Sequence, residues 1–395
     1  MHLNLLNNLF VMENDEMIKA HNSAIMRESN QRLIVDMIRK KPLSRADLSR
    51  AMGLSRAAVT ILTDSLIEQG IIMNGDVVKS ESGRRPTLLH LNPNAFISIG
   101  IDLSRDGCEI LLTDFSGNEI FGKKMDFLES AEKTVALICE EISLALTNGS
   151  NSATPLGICI CAPGPIDSEK GMILNPSGLS LFHNYNVKHA FSSRFALPVY
   201  LEKDTNVLAL AEKNRNNVQG DMLFLLADHG IGCSIIKNGH LFTGRDGMGG
   251  ELGHTTVDIN GPTCACGNVG CAELYASIPA TVQKAGASSW NDLICRAENG
   301  DQKAMTALRE QGKILSVLCI NAVNLFEPLN IVLGGELTNA DFVLKEMIEN
   351  ALDRAAFSRK VHQFHVYSSC LGKNARAYAA AMTALEYYFN GGMHL

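Results

Sequence analysis

Hydrophobic residues recur every three to four positions in the N-terminal quarter of the chain. This spacing predicts helices, whose bounds follow from Pro42, from serine caps at Ser44 and Ser55, and from Gly70. The predicted helices are Ser29–Lys40, one that starts at Ser44 and ends at Met52, and Arg56–Gln69. Residues 1–20 show no such pattern and are predicted to be a frayed leader. Two short helices joined by a tight glycine-containing turn predict a helix-turn-helix.

Two short strand candidates, Ile71–Met73 and Thr87–Leu91, follow the third helix and enclose a polar, basic loop. This order is typical of a winged DNA-binding domain, here at 21–92, whose third helix enters the major groove. Arginines of the wing would contact phosphates or the minor groove. The predicted DNA-contacting residues are Ser55, Arg56, Ala57, Thr60 and Thr63, with Gly83, Arg84 and Arg85 in the wing. A helical module that docks a protein is the alternative.

From Phe96 onward the pattern changes to alternating strands and helices. Two successive strand–strand–helix–strand runs, which open with Ile97–Leu103 and Met222–Ala227, predict two related α/β lobes with a cleft between them. The other predicted strands are Cys108–Asp114, Leu156–Cys161, Leu197–Leu201, Ser234–Lys237, Ile331–Gly335 and the edge strand His365–Ser368. The predicted helices are Ala131–Leu146, Asn206–Lys213, Ile278–Ala285, Trp290–Asn299, Gln302–Glu310, Lys313–Leu325 and a final one at 374–389. A second domain is therefore expected at 95–395.

Three cysteines and one histidine lie within the eighteen positions 254–271. Three thiolates and an imidazole are the ligand set of a closed, tetrahedral structural zinc site, which stabilises a short irregular segment. Four good ligands leave no vacant position for a catalytic zinc. The predicted ligands are His254, Cys264, Cys266 and Cys271, and glycines at 261, 267 and 270 would let the backbone aim them at one point. The alternative is a set of buried free cysteines beside an unrelated histidine.

The same segment carries Glu251 and Glu273 on either side of His254. Carboxylates and an imidazole suit the hydroxyl groups of a polar ligand such as a sugar. The pattern Glu-x-Gly-His followed by Cys-x-Cys-Gly-x-x-Gly-Cys-x-Glu closely resembles the central motif of the ROK family (repressors, open reading frames and sugar kinases). The resemblance implies an actin-like, hexokinase-type α/β fold over about 95–390, in which zinc holds a loop that delivers the histidine and both glutamates to a sugar. The sugar-contacting positions that it implies are Gly164, Ser177, Asp204, Glu251, His254 and Glu273.

Kinases of this family bind ATP phosphates through two glycine-rich turns, and this chain departs from both. Where they carry Asp-x-Gly-Gly-Thr, Asp102 is followed by Leu-Ser-Arg-Asp, and where they carry Gly-Thr-Gly the sequence reads Asp228-His-Gly-Ile-Gly. Bulky and acidic side chains there oppose close backbone approach and repel phosphate. We therefore expect neither ATP binding nor kinase activity, and Asp204 is a relic candidate for the catalytic aspartate.

One further departure lies next to that aspartate, because Lys203 stands where the family usually has an asparagine. An amide that donates and accepts has become a donor-only cation. Lys203 is expected to pair with Asp204, to narrow the pocket, or to favour an acidic or phosphorylated sugar. It counts among the candidate ligand-binding residues for this reason.

The amino-acid composition limits the class of protein and the cellular compartment that can be expected. The net charge of −7 argues against a protein coated in nucleic acid but permits a small basic module. Eleven cysteines, mostly in apolar runs outside the metal loop, indicate core thiols in a reducing cytosol. No apolar window reaches transmembrane length, so a cytoplasmic protein is expected.

Together these features predict a sugar-responsive transcriptional repressor similar to the N-acetylglucosamine, glucose and xylose repressors of the ROK family, whose wing resembles the Ser-Gly-Arg-Arg-Pro stretch found here. Its expected partners are double-stranded operator DNA, a small sugar, and further copies of itself in a homodimer or homotetramer. Two alternatives stay open: an active sugar kinase with an attached DNA-binding domain, and a repressor controlled by a protein of the sugar-transport system.

Overall fold

The structure is a computed structural model that describes residues 15–77, 87–148, 153–176, 178–215, 218, 220–372 and 375–389. The chain divides into two compact units, Met1–Ala95 and Phe96–Leu395. Some of the predicted site residues lie outside the described residues. They are Ser177 of the sugar site and Gly83, Arg84 and Arg85 of the wing.

The first unit combines helices with an antiparallel sheet in the order β1-β3-β2. Its elements are α1 (Asp15–Lys40), β1 (Leu43–Ser44), α2 (Arg45–Met52), α3 (Arg56–Glu68), β2 (Ile72–Val77) and β3 (Thr87–Leu91). Ser44 and Asp47 complete a capping box at the start of α2. Gly53, with φ of 66°, ends α2 in the left-handed conformation, and Ser55 caps α3. The helix-turn-helix predicted from these residues is present.

Two helices differ from their predicted bounds by more than two residues, and the helices Val187–Ser192 and Asp341–Ala355 lie outside the predicted set. Helix α1 begins at Asp15, inside the predicted leader. The prediction started the helix only at Ser29, because the apolar residues before that position do not recur at helical spacing. In the second unit, Gln302–Phe326 is one continuous helix instead of two. Gly312 does not break it: a Cβ there would lie 2.9 Å from Met347 Cε, so glycine allows a neighbouring helix to pack closely.

The second unit is built on two five-stranded sheets, ordered β11-β7-β4-β5-β6 and β14-β13-β12-β15-β16. The elements of the first lobe are β4 (Phe96–Ser104), β5 (Gly107–Asp114), β6 (Glu119–Met125), α4 (Ala131–Asn148), β7 (Thr154–Ala162), β8 (Ile166–Asp167), β9 (Met172–Ile173), β10 (Tyr185–Asn186), α5 (Val187–Ser192), β11 (Val199–Lys203) and α6 (Asp204–Asn214). Those of the second lobe are β12 (Met222–Ala227), β13 (Ile231–Lys237), β14 (His240–Leu241), α7 (Glu273–Ala276), α8 (Ile278–Ala285), α9 (Trp290–Glu298), α10 (Gln302–Phe326), β15 (Asn330–Gly335), α11 (Asp341–Ala355) and β16 (His365–Ser368), and α12 (Ala375–Phe389) follows.

Both sheets repeat one arrangement, in which an antiparallel strand pair continues into parallel neighbours. This repetition is the predicted pair of related lobes, and the fold is the actin-like, hexokinase type. Helix α12 packs on the first sheet, α6 packs on the second, and the two helices pack on each other. Gly100 permits the close approach of α12, since a Cβ there would lie 1.9 Å from Ala377 O. The two helices therefore form the layer between the lobes.

Parallel pairing brings the carboxyl ends of several strands to one edge of the first sheet. Asp102 of β4 is opposite Cys161 of β7, and Lys203 of β11 is opposite Ala162. Polar residues at these strand ends consequently face the cleft between the lobes. Among the described residues, none of the helices has both the length and the apolar composition that a membrane crossing requires.

Candidate functional site

Four metal-ligating side chains meet in the loop that precedes α7. His254, Cys264, Cys266 and Cys271 each offer one ligand atom, and these atoms all lie within 4.8 Å of one another. Cys264 Sγ is 3.7 Å from His254 Nδ1, and Cys266 Sγ is 3.7 Å from Cys271 Sγ. Three thiols and an imidazole suit a borderline or soft metal ion. The donor set brought together here therefore fits a metal site.

Backbone geometry explains how so short a loop gathers four ligands. Gly270 has φ of 66°, and a Cβ on it would lie 1.7 Å from Asp258 O, so this position requires glycine. Asn268, which the sequence analysis missed, donates through Nδ2 to His254 O at 2.9 Å and lies 3.5 Å from Cys271 Sγ. Its amide ties the histidine segment to the cysteine segment. No periodicity or ligand chemistry distinguishes this asparagine in the sequence.

Lys203 reaches from the end of β11 in the first lobe to the second lobe. Its Nζ donates to Gly249 O at 2.6 Å and to Glu251 Oε1 at 3.0 Å. A Cβ on Gly164 would lie 3.4 Å from Lys203 Cδ and 3.8 Å from Glu251 Oε1, so Gly164 lies against this ion pair. Three of the residues predicted to bind a sugar thus meet. Of the three alternatives for Lys203, pairing with Asp204 is not the contact that the structure shows, because the ammonium group donates to Gly249 and Glu251.

His254 and Glu273 lie on either side of the metal loop. His254 closes a short 3-10 turn, where its N–H donates to Glu251 O at 3.1 Å, so it adjoins both the metal cluster and the Lys203 ion pair. Glu273 begins α7, and its Oε2 accepts a hydrogen bond from the Ile231 N–H at 3.2 Å. The carboxylate of Glu273 therefore lies on the turn that contains Gly230.

Arg376 of α12 bridges the lobes beside Asp204, and the sequence analysis missed it. Its Nη2 donates to Asp228 Oδ2 at 2.6 Å, and its Nε is 3.7 Å from Asp204 Oδ2. Asp228 follows β12 in the second lobe, whereas α12 packs on the first sheet. The signal that could have revealed this residue is a single arginine near the start of an otherwise alanine-rich, apolar helix.

Two carboxyl groups near Arg376, those of Asp102 and Asp204, have raised pKa values. Burial raises the pKa of Asp204, and the positive charge of Arg376 acts in the opposite direction. Burial also raises the pKa of Asp102 to about 7, although Arg376 again favours its charged form. Cys161 Sγ donates to Asp102 Oδ1 at 3.5 Å. Three carboxyl groups therefore lie around one guanidinium at this end of the cleft, and burial favours the neutral form of Asp102 and Asp204.

In the first unit, the structure separates the residues predicted on α3 into exposed and buried ones. Ser55, Arg56, Ala57 and Thr60 are exposed, and the Ser55 hydroxyl caps the helix by accepting from the Ala58 N–H at 3.2 Å. The predicted exposure of Thr63 is wrong. Its side chain is fully buried on the inner side of the helix with Val59, and its hydroxyl donates to Val59 O at 2.9 Å.

The comparison with known sequences agrees with the motif. The sequence profile of the ROK family matches residues 98–386. A xylose repressor from Bacillus spizizenii is 31% identical over 378 residues, which cover 92% of this chain and 97% of that repressor. An N-acetylglucosamine repressor from Escherichia coli O157:H7 is 32% identical over 333 residues, which cover 80% of this chain and 82% of that repressor.

Solved structures extend the likeness to the fold. A ROK family transcriptional regulator, a homologue of the Escherichia coli Mlc protein, has a TM-score of 0.79 and 26% identity, with 93% of this chain and 97% of that chain covered. A ROK family glucokinase from Streptomyces griseus has a TM-score of 0.63 and 24% identity, with 73% of this chain and 99% of that chain covered, and it shares the fold. On the profile match, the relatives and the clustered motif, the chain belongs to the ROK family.

Proposed function

We propose that the chain is a sugar-responsive, DNA-binding transcriptional regulator, and that it represses genes of carbohydrate uptake or catabolism. The observation that carries this proposal is the union of a helix-turn-helix unit with a ROK unit in one chain, since the xylose repressor aligns over 92% of it. Arg56, Ala57 and Thr60, exposed on α3, are proposed to contact operator DNA in the major groove. Ser55, Gly83, Arg84 and Arg85 are proposed to contact its backbone or minor groove.

The metal in this proposal is a structural zinc held by His254, Cys264, Cys266 and Cys271. Its role is to fix an irregular loop, because four protein ligands leave no position for substrate or water. His254 Nδ1 is the ring nitrogen near Cys264 Sγ, which leaves Nε2 as the atom for a ligand in the cleft. The zinc loop would thereby set the positions of His254, Glu251 and Glu273 together.

The cleft is proposed to bind a small sugar through Gly164, Ser177, Lys203, Asp204, Glu251, His254 and Glu273. Oε1 of Glu251 accepts a hydrogen bond from Lys203, and the glutamate side chain is 43% exposed. Its second oxygen is therefore available to accept a hydrogen bond from a sugar hydroxyl. A ligand that contacts both lobes changes their closure. A tenfold change in operator affinity needs only about 1.4 kcal/mol of differential binding, which a few such hydrogen bonds supply.

A second candidate function is an active ATP-dependent sugar kinase, because the fold is shared with a ROK glucokinase. The carboxyl groups at one end of the cleft argue against it. Asp102, Asp204 and Asp228 outnumber the one guanidinium of Arg376 among them, and those carboxyl groups that stay ionised oppose the binding of ATP phosphates. We therefore propose that the cleft binds sugar without catalysis and that Asp204 takes no proton from a substrate hydroxyl.

Binding to DNA by a symmetric oligomer completes the proposal. A homodimer or homotetramer would place two copies of α3 on the half-sites of a near-palindromic operator. A protein of the sugar-transport system would be an additional regulator if no sugar acts on the cleft.

The test uses the full zinc-loaded chain. Duplexes that it binds are selected from a random library, and operator affinity is then measured with xylose, glucose, N-acetylglucosamine and acidic or phosphorylated sugars. We expect one selected sequence, loss of its binding in Arg56→Ala, and one sugar whose effect disappears in Glu251→Ala. If no DNA sequence is selected from the library, sequence-specific DNA binding is refuted. A selected operator that no sugar affects would favour control by a protein partner, and sugar-dependent ADP release would favour the kinase.

A further inference from the structure

The exposed face of α3 carries two apolar side chains, Ala57 and Ile61, beside its polar residues. Ile61 is 61% exposed and lies one helical turn after Ala57, which is also exposed. Thr60 is exposed between them, but its hydroxyl already donates to Arg56 O at 2.8 Å. Arg56 is thus the strong donor of this face, and the positions that follow it present mainly hydrocarbon.

The next exposed residue on the helix, Asp64, does not make this face acidic. Its Oδ1 accepts from Arg45 Nη2 at 2.7 Å, and Arg45 Nε donates to Thr63 Oγ1 at 2.9 Å. The arginine from α2 therefore neutralises the Asp64 carboxylate and ties α3 to α2. A face without net negative charge can approach the phosphates that border a DNA groove.

The major groove offers one apolar feature at base edges, the C5-methyl group of thymine. We propose that Ile61 contacts a thymine C5-methyl group in each operator half-site and so determines sequence specificity at that base pair. The inference rests on the proposed DNA-binding function. Ile61 was not among the residues predicted to contact DNA, because an isoleucine on a helix is usually part of a core.

The test is a double-mutant cycle of operator affinities, in which one change removes a methyl group from the DNA and the other shortens the Ile61 side chain. In the operator selected by the full chain, each thymine is replaced in turn by deoxyuridine, which removes the C5-methyl group and leaves the base-pairing groups unchanged. One thymine per half-site should lower the affinity of the parent by about fourfold, the ratio expected for one apolar methyl contact. Ile61→Ala should bind the thymine operator more weakly and should show no further loss with deoxyuridine.

Ile61→Ala keeps a strong helix former at a surface position, so the variant is expected to fold. Leu33→Ala is the matched control, because it removes another exposed aliphatic side chain of the same unit, 47% exposed on α1, and should keep the full response to deoxyuridine.

Two results would overturn the inference and leave operator binding intact. In the first, no deoxyuridine replacement lowers the affinity of the parent. In the second, Ile61→Ala loses as much affinity as the parent does when the methyl group is removed. Loss of oligomerisation in Ile61→Ala with an unchanged scan would assign Ile61 to a contact between copies and would also overturn it. If the chain selects no operator sequence at all, the proposed DNA-binding function itself is contradicted.

Discussion

Lys203 Nζ lies 3.0 Å from Glu251 Oε1, and the pair joins the two lobes across the cleft. The two side chains differ in environment: the lysine side chain is 6% exposed and the glutamate side chain 43%. The next residue, Asp204, takes part in a second bridge through Arg376. Lys203, the last residue of β11, and Asp204, the first residue of α6, therefore contribute to two cross-lobe contacts.

The unequal burial of this pair predicts unequal mutational costs. Glu251→Ala leaves a buried ammonium group that still donates to Gly249 O but has lost its carboxylate, which should cost about 2 kcal/mol or more. Lys203→Met removes the buried charge, and the exposed Glu251 can be hydrated, so its cost should be about 1 kcal/mol or less. Urea unfolding measures both values, with Glu251→Gln as a control that keeps an acceptor for Lys203. Equal losses in the two variants would show that the asymmetry has no energetic effect.

The Arg376 bridge predicts a larger effect than an exposed arginine. Arg376→Ala leaves Asp204 and Asp228 without their cation and should destabilise the chain by about 3 kcal/mol. Arg309→Ala, on the exposed side of α10, is the matched control and should change stability by about 0.5 kcal/mol or less. The double variant Arg376→Ala/Asp228→Ala should recover about 1 kcal/mol relative to additivity. Additive losses in that cycle would mean that the two side chains do not stabilise each other.

Metal content should depend on the four clustered residues and not on cysteines outside the cluster. Cys264→Ser should lose zinc measured by elemental analysis and should unfold at a lower temperature, because metal binding and folding of the loop are coupled. Cys295→Ser changes an exposed cysteine outside the cluster and should retain both zinc and thermal stability. A parent protein that takes up no zinc, or a Cys264→Ser variant that retains it, would contradict the metal assignment.

Asp102 predicts a pH dependence of stability. Its pKa is about 7 in the folded chain, against an ordinary value of 3.8, mainly because it is buried. The folded state therefore binds more protons than the unfolded state between about pH 4 and pH 7, and the free energy of unfolding falls as pH rises through that window. Arg376, Asp204, Glu109 and the Cys161 thiol act on this carboxyl group.

Asp102→Asn removes the titrating group and should flatten this slope. Between about pH 5 and about pH 7 the stability of the variant relative to the parent should improve by roughly 2 kcal/mol, since one pKa unit corresponds to about 1.4 kcal/mol. Urea unfolding of both proteins across this range provides the measurement. Parallel pH profiles would show that Asp102 titrates normally in the folded chain.

Short-range features could be predicted because they depend on neighbouring residues. Ser44 and Asp47 form their capping box three residues apart, and Gly53 ends α2 locally. The four clustered metal ligands lie in one loop, so their spacing restricts them to a small volume before any other element is placed. The strand–strand–helix–strand repeats likewise predicted two lobes, because alternation and turn residues are local signals.

The cross-lobe contacts depend on packing that no local pattern records. Arg376 and Asp228 are 148 residues apart, and they meet because α12 lies on the first sheet while β12 ends in the second lobe. On α3, the sequence determined the helix and its cap, but the packing of that helix decided which residues face outward. Thr63 is buried and Ile61 is exposed for this reason, although the two lie only two positions apart. Sequence thus determined the local elements and the cluster of candidate metal ligands, whereas the tertiary structure decided which charges and methyl groups meet solvent, because burial depends on residues distant along the chain.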